Sequence, residues 1–159
     1  MPVTANSVIT PQAINAGTRC VLSTAMTNTT AYDGTGAIGT ALGAFFTAGV
    51  NGSIVDGIRI KYTSTDGVAV SGATAATVVR IWLNNGSAST VAANNVLIFE
   101  RAVASQAMVA LGTSEPPEYF ITANLPKLPP GFRLFAGLTV AVGGTNAALS
   151  VSVISAGDL

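Results

Sequence analysis

The chain has 159 residues, enough for one domain with a single core, and only 9% of them are charged, seven Lys+Arg against seven Asp+Glu. Average soluble domains carry about 25% charge, so either Thr, Ser and Asn coat this surface or neighbouring subunits cover it; the second reading is carried forward. A net charge of zero without a basic cluster argues against electrostatic nucleic-acid binding, the 49% apolar content argues against disorder, and one Cys with no His excludes an intrachain disulfide and a Cys/His zinc site.

Residues 1–17 hold Pro2, Pro11, Asn6, Asn15 and Gly17 and show little periodicity. They read as an extended N-terminal arm leading into one β-sandwich domain over residues 18–159. Val3, Val8, Ile9, Ala13 and Ile14 give the arm apolar anchors, and a strand-like arm adds to an open sheet edge of a neighbour. Met1 to Ser7 has neither a basic nor an apolar signal region, so synthesis in the cytoplasm without a signal peptide is expected. No apolar run reaches the roughly 20 residues of a membrane helix. The 6% aromatic content is too low for the girdles of a membrane barrel. Cys20, in an apolar run, reads as a small buried hydrophobe.

From Arg19 onward short apolar runs alternate with turn signals, the all-β pattern. Arg19 to Thr24 is the first expected strand, and residues 27–36 are a loop. Ile38 to Ala48 holds helix-forming residues, but Gly39 and Gly43 weaken a helix by about 1 kcal/mol each, so a strand ending at Gly49-Val50-Asn51-Gly52 is expected. Ile54 to Thr63 alternates, with Ile54, Ile58, Ile60 and Tyr62 assigned to one face and Val55, Arg59, Lys61 and Thr63 to the other. Thr77 to Asn84 places Val79, Ile81 and Leu83 opposite Val78, Arg80 and Trp82, and Asn84-Asn85-Gly86 ends it. In Val96 to Val103, Leu97, Phe99 and Val103 alternate against Glu100. Pro116-Pro117 introduces Tyr119 to Leu125, and residues 126–131 read as a rigid connection. Phe132 to Val142 groups Phe132, Leu134, Ala136, Leu138, Val140 and Val142, and Leu149, Val151 and Val153 close the series. About eight strands with these boundaries predict an antiparallel, jelly-roll-like sandwich.

The chain offers little to chemistry. Without His, Ser-His-Asp and Cys-His catalysis is excluded. Neither Lys61 nor Lys127 follows a Gly, as a phosphate loop requires. Glu115 and Glu118 flank Pro116-Pro117 and read as a solvated turn rather than a paired-carboxylate site. Asp33-Gly34 and Asp66-Gly67 lack the rest of a calcium loop. No catalytic residue, metal or cofactor is therefore expected. Function is left to surfaces, where Arg59, Lys61, Arg80, Arg101 and Arg133 either pair with Glu100 or Asp56 across the sheet or reach a neighbouring subunit. Trp82 reads as a core or interface anchor.

Four segments carry a resemblance: residues 47–53, Thr-Ala-Gly-Val-Asn-Gly-Ser; residues 77–86, ending Asn84-Asn85-Gly86; residues 128–134, Leu-Pro-Pro-Gly-Phe-Arg-Leu; and the ending Ile154-Ser155-Ala156-Gly157-Asp158-Leu159. Together they resemble small structural proteins of tailed bacteriophages and prophages. The resemblance implies a virion component on the capsid surface, a cement (decoration) protein that binds the major capsid protein or other virion proteins as a homo-oligomer, commonly a trimer. The zero net charge and the lack of a long apolar run, rather than the resemblance, set the expectation of no nucleic-acid and no membrane partner. Val3, Val8, Ile9, Ile14 and Trp82 are the candidate assembly contacts. The alternatives are a tail, neck or fibre component and a carbohydrate-binding sandwich.

Overall fold

The computed structural model describes residues 19–26, 43–65, 67–108 and 116–158. The expected arm and the loop over residues 27–36 lie outside them. So do residues 38–42 of the second expected strand.

The described chain is built almost entirely of antiparallel strands: β1 (Arg19–Leu22), β2 (Gly43–Thr47), β3 (Ser53–Ser64), β4 (Gly72–Ala73), β5 (Thr77–Asn84), β6 (Asn95–Val103), β7 (Ala107–Met108), β8 (Glu118–Ile121), β9 (Lys127–Leu128), β10 (Arg133–Leu138) and β11 (Ala147–Asp158). One sheet runs β1-β11-β3-β8, with β9 also on β3; a second runs β2-β10-β5-β6; β4 and β7 form a small ribbon. The all-β antiparallel sandwich expected from the turn-bounded alternation is the fold.

The two large sheets bury their inner faces against each other. From the first come Cys20, Ile58, Ile60, Leu149 and Val151, and from the second Phe46, Val79, Ile81, Leu134 and Leu138. Period-2 alternation alone accounts for most of this core. Four bulges account for the rest.

Across β3 and β11 the register runs Ile58↔Val153, then Gly57↔Ser155, then Val55↔Ala156. Ile154 is thus an extra residue on β11 and Asp56 an extra residue on β3. The two bulges compensate, but each strand changes phase there. Val55 turns into the core, while Ile54 is only half-buried and Asp56 is exposed. The expected grouping of Ile54 with Ile58 is therefore corrected, because the bulge inverts the alternation between them.

The β5–β6 pairing carries an extra residue at Ile98, between Ile81↔Phe99 and Trp82↔Leu97. Leu97 consequently leaves the Phe99–Val103 side and packs on the outward side against Trp82, correcting the expected alternation. In β2 the extra residue is Phe45, between Phe46↔Leu134 and Ala44↔Phe135, and both phenylalanines enter the core. The expected helix–strand ambiguity thus resolves as strand for the described residues 43–47.

Two further corrections concern strand ends. β10 stops at Leu138, because side chains replace the ladder: Thr77 Oγ1 donates to the Val140 carbonyl at 2.8 Å, and the Val78 N–H donates to Thr139 Oγ1 at 3.1 Å. Val140 is left 47% exposed instead of joining Leu138 and Val142. The expected rigid connection over residues 126–131 contains β9, which pairs Leu128 with Ser53 and buries it fully. At the far end of the β5 hairpin, Asn84 Nδ2 donates to Asn95 Oδ1 at 2.9 Å, and the Gly86 N–H donates to Asn84 Oδ1 at 2.9 Å. Gly86 has φ +90°, and a Cβ there would meet the Gly131 carbonyl oxygen at 2.9 Å, so this turn requires glycine.

Candidate functional site: an open sheet face

The two outward faces differ. On the β2-β10-β5-β6 sheet, the chain covers much of its own outer side. Trp82 is 1% exposed and packs with Met26, Phe135 and Leu97. The segment after β1 crosses to this sheet, where the Met26 N–H donates to the Leu138 carbonyl at 2.8 Å. Arg80 is also buried, and its Nε donates to Glu100 Oε1 at 2.7 Å across the strand pair. That is the cross-strand pair expected for Glu100. Asp56 instead accepts a bond from Ser155 Oγ at 3.4 Å.

Trp82 is thus a core anchor of this outer cluster and is not presented to a partner. Its Nε1 is buried without a hydrogen-bond partner among the described residues. Val3, Val8, Ile9 and Ile14 lie outside the described residues.

The outer side of the β1-β11-β3-β8 sheet is left uncovered by the described residues. Cross-strand partners share a face, so the register assembles two rows across four strands. The first is Arg19–Ser152–Arg59–Phe120 and the second Val21–Ser150–Lys61–Glu118. At about 4.8 Å between strands, each row spans about 14 Å. Phe120 is 52% exposed, Ile154 40% and Val21 37%. Ser152 lies sunk between Arg19 and Arg59 at 2% exposure.

The charges of this face are organised around Glu118. Lys61 Nζ forms an ion pair with Glu118 Oε1, and Arg59 Nη1 lies 4.0 Å from the same oxygen. The Lys61 hydrogen bond, helped by the Lys61 and Arg59 charges and opposed by desolvation, holds the Glu118 carboxyl below its ordinary range. Glu118 therefore begins β8 as an ion-pair partner, which corrects its expected place in a solvated turn, while Glu115 lies outside the described residues. On the sandwich's side, the Arg101 guanidinium of β6 stacks on the Tyr119 ring of β8, 5.0 Å from its centroid, and so joins the edges of the two sheets.

Sequence reasoning placed Arg59 and Lys61 on a possible contact surface but missed Arg19 and Phe120. Phe120 was available from the alternation, since Tyr119 and Ile121 pack on the core and leave it outward. Among the described residues no group of His, Cys, Asp and Glu could hold a metal ion, and no helix is long and apolar enough to cross a membrane. Against known proteins, the chain matches no family model, no curated protein and no solved structure.

Proposed function

We propose that this chain is a non-enzymatic structural protein of a bacteriophage virion that binds and stabilises the capsid shell, a cement or decoration protein. The observation carrying this reading is the inequality of the two outer faces among the described residues: one is filled by the chain's own side chains, and the other is left uncovered by them, with apolar and charged side chains in register. That is the surface economy of an assembly module. The strand pairing supports a jelly roll, a fold compatible with that role. Taking the eight principal strands, the first pairs with the last and the others nest inside: β1 with β11, β2 with β10, β3 with β8, and β5 with β6. The likeness of the turn segments to small phage structural proteins supplies the virion assignment.

In this reading the protein acts as a homo-oligomer, a trimer, seated on the major capsid protein. Its arm, residues 1–17, is ordered by a neighbour rather than by its own core. Deleting residues 2–14 then leaves the melting temperature in place and abolishes particle binding; unchanged binding, or an unfolded remainder, contradicts the arm's role. The decisive experiment is mass spectrometry and a cryo-EM map of particles released by the host that encodes the chain. Density for the sandwich on the shell is expected. Density at the tail, neck or fibre assigns it there instead, and its absence from purified particles overturns the virion reading.

A further inference from the structure

We propose that the outward face of the β1-β11-β3-β8 sheet docks an acidic protein surface, with partner carboxylates engaged by Arg19 and Arg59. The proposal rests on reading the chain as a docking module. It adds the face used and the chemistry of what is bound.

The geometry comes from the register. Arg19 and Arg59 both pair with Ser152 from opposite sides, so their strands are separated by one strand, about 10 Å apart. Ser152 is short and only 2% exposed, so what this part of the row presents outward is the two arginines on either side of it. The Arg59 guanidinium leans toward Glu118 on the β8 side, 4.0 Å away, and the fork of each arginine matches a carboxylate. Glu118 is engaged by Lys61 and sits at the limit of ion-pair distance from Arg59, while Arg19 has no carboxylate partner among the described residues. Phe120 lies directly across from Arg59, adding the exposed aromatic that accompanies Arg in contact hot spots.

The charge on this face selects the partner. Arg19, Arg59, Lys61 and Lys127 stand against Asp56 and Glu118, four cations to two carboxylates among the described residues. A second copy presenting the same face would oppose cations to cations. Closely spaced phosphates of a nucleic acid or an anionic bilayer would meet the two carboxylates as well as the cations. A protein surface with discrete acidic side chains avoids both conflicts.

The test uses the full ¹⁵N-labelled chain and poly-L-glutamate as the probe, with duplex DNA and phosphatidylserine vesicles in parallel. Amide shifts are expected on Arg19, Val21, Arg59, Phe120 and Ser152, fading above about 0.3 M salt as exposed charges are screened. The double variant Arg19→Glu/Arg59→Glu should weaken polyglutamate binding about tenfold or more while staying folded, with a melting temperature lowered only slightly by the charge reversal beside Glu118. Arg133→Glu, on the other sheet, should bind as the parent does. Absence of the shifts, retention of binding in the double variant, or equal or tighter binding of DNA or vesicles overturns the proposal. The function reading is tested separately. If the polyglutamate results hold but the chain is missing from purified particles, the face stands and the virion assignment fails. If the chain is in particles and ignores polyglutamate, the reverse is true.

Discussion

Cys20 shows how burial alone sets the chemistry of a residue. It lies on the inner side of β1, 8% exposed, and loss of hydration pushes its thiol from 9.0 up to about 12, with hydrogen bonds from the backbone pulling weakly the other way. The folded chain therefore keeps this proton where the unfolded chain loses it. Stability is fully present below about pH 9 and falls between 9 and 12, by about 1.4 kcal/mol per pH unit at most. Burial likewise raises Tyr62 above its ordinary 10.0 and acts in the same direction. We expect Cys20→Ala to lower stability near neutral pH through lost packing, yet to lose less than the parent does on raising the pH from about 8 to about 10.5, as measured by urea unfolding. Equal pH slopes for the two chains would contradict this account. The thiol should also resist alkylation until the chain unfolds, because the reactive thiolate is suppressed. This residue was fully legible in the sequence: an apolar run with no His or nearby acid left burial as its only role. Trp82 was half legible. Its face was assigned correctly, but Met26, which packs against it, comes from a connection whose path no local pattern reveals.

Bulges mark the limit of legibility at the scale of the element. The strands over Ile54–Thr63, Thr77–Asn84 and Val96–Val103 were apparent from alternation, while their phase errors arose at Asp56 and Ile98, where one strand contributes an extra residue. A bulge is decided by the partner strand, so a single segment carries no sign of it. Gly57 is the partial exception, since a glycine within a strand pattern is a bulge signal. Its reason is now visible: a Cβ at Gly57 would lie 2.7 Å from Ile154 Cγ1 and 2.9 Å from its Cδ1. Gly57→Ala is expected to cost about 1–2 kcal/mol by overpacking. The cost should largely vanish in an Ile154→Ala background, because that side chain is the obstacle. A double-mutant cycle by thermal or urea melting reads the coupling, and additive losses would refute the contact as the cause.

At the scale of the whole molecule, the unequal outer faces give physical form to the 9% charge content. A low-charge chain needs less solvated surface when part of it is covered. Here one face is filled from within and the other offers Phe120, Ile154 and Val21 among its charges. Multi-angle light scattering across concentrations is expected to show association, to a trimer under the proposed function. A mass of one chain at every concentration, together with no contact between copies in the particle, would contradict it. The sandwich was legible because eight runs with turn boundaries permit few other folds. The open face was only partly so. Arg19, Ser152, Arg59 and Phe120 come from four distant stretches of chain, and only the pairing of β1, β11, β3 and β8 puts them in one row.

Both sheets keep their latest strands in the middle: β11 separates β1 from β3, and β10 separates β2 from β5. On the ribosome, the earlier strands of each sheet therefore emerge without the neighbour that will join them. One edge of β3 stays unpaired until residues 147–158, which form β11, have left the exit tunnel. During that interval the nascent chain exposes apolar strand edges of the kind that recruit chaperones and self-associate. The β2-β10-β5-β6 sheet has all its strands once β10 is made, whereas the β1-β11-β3-β8 sheet stays split until β11 follows, so the sandwich closes in two steps.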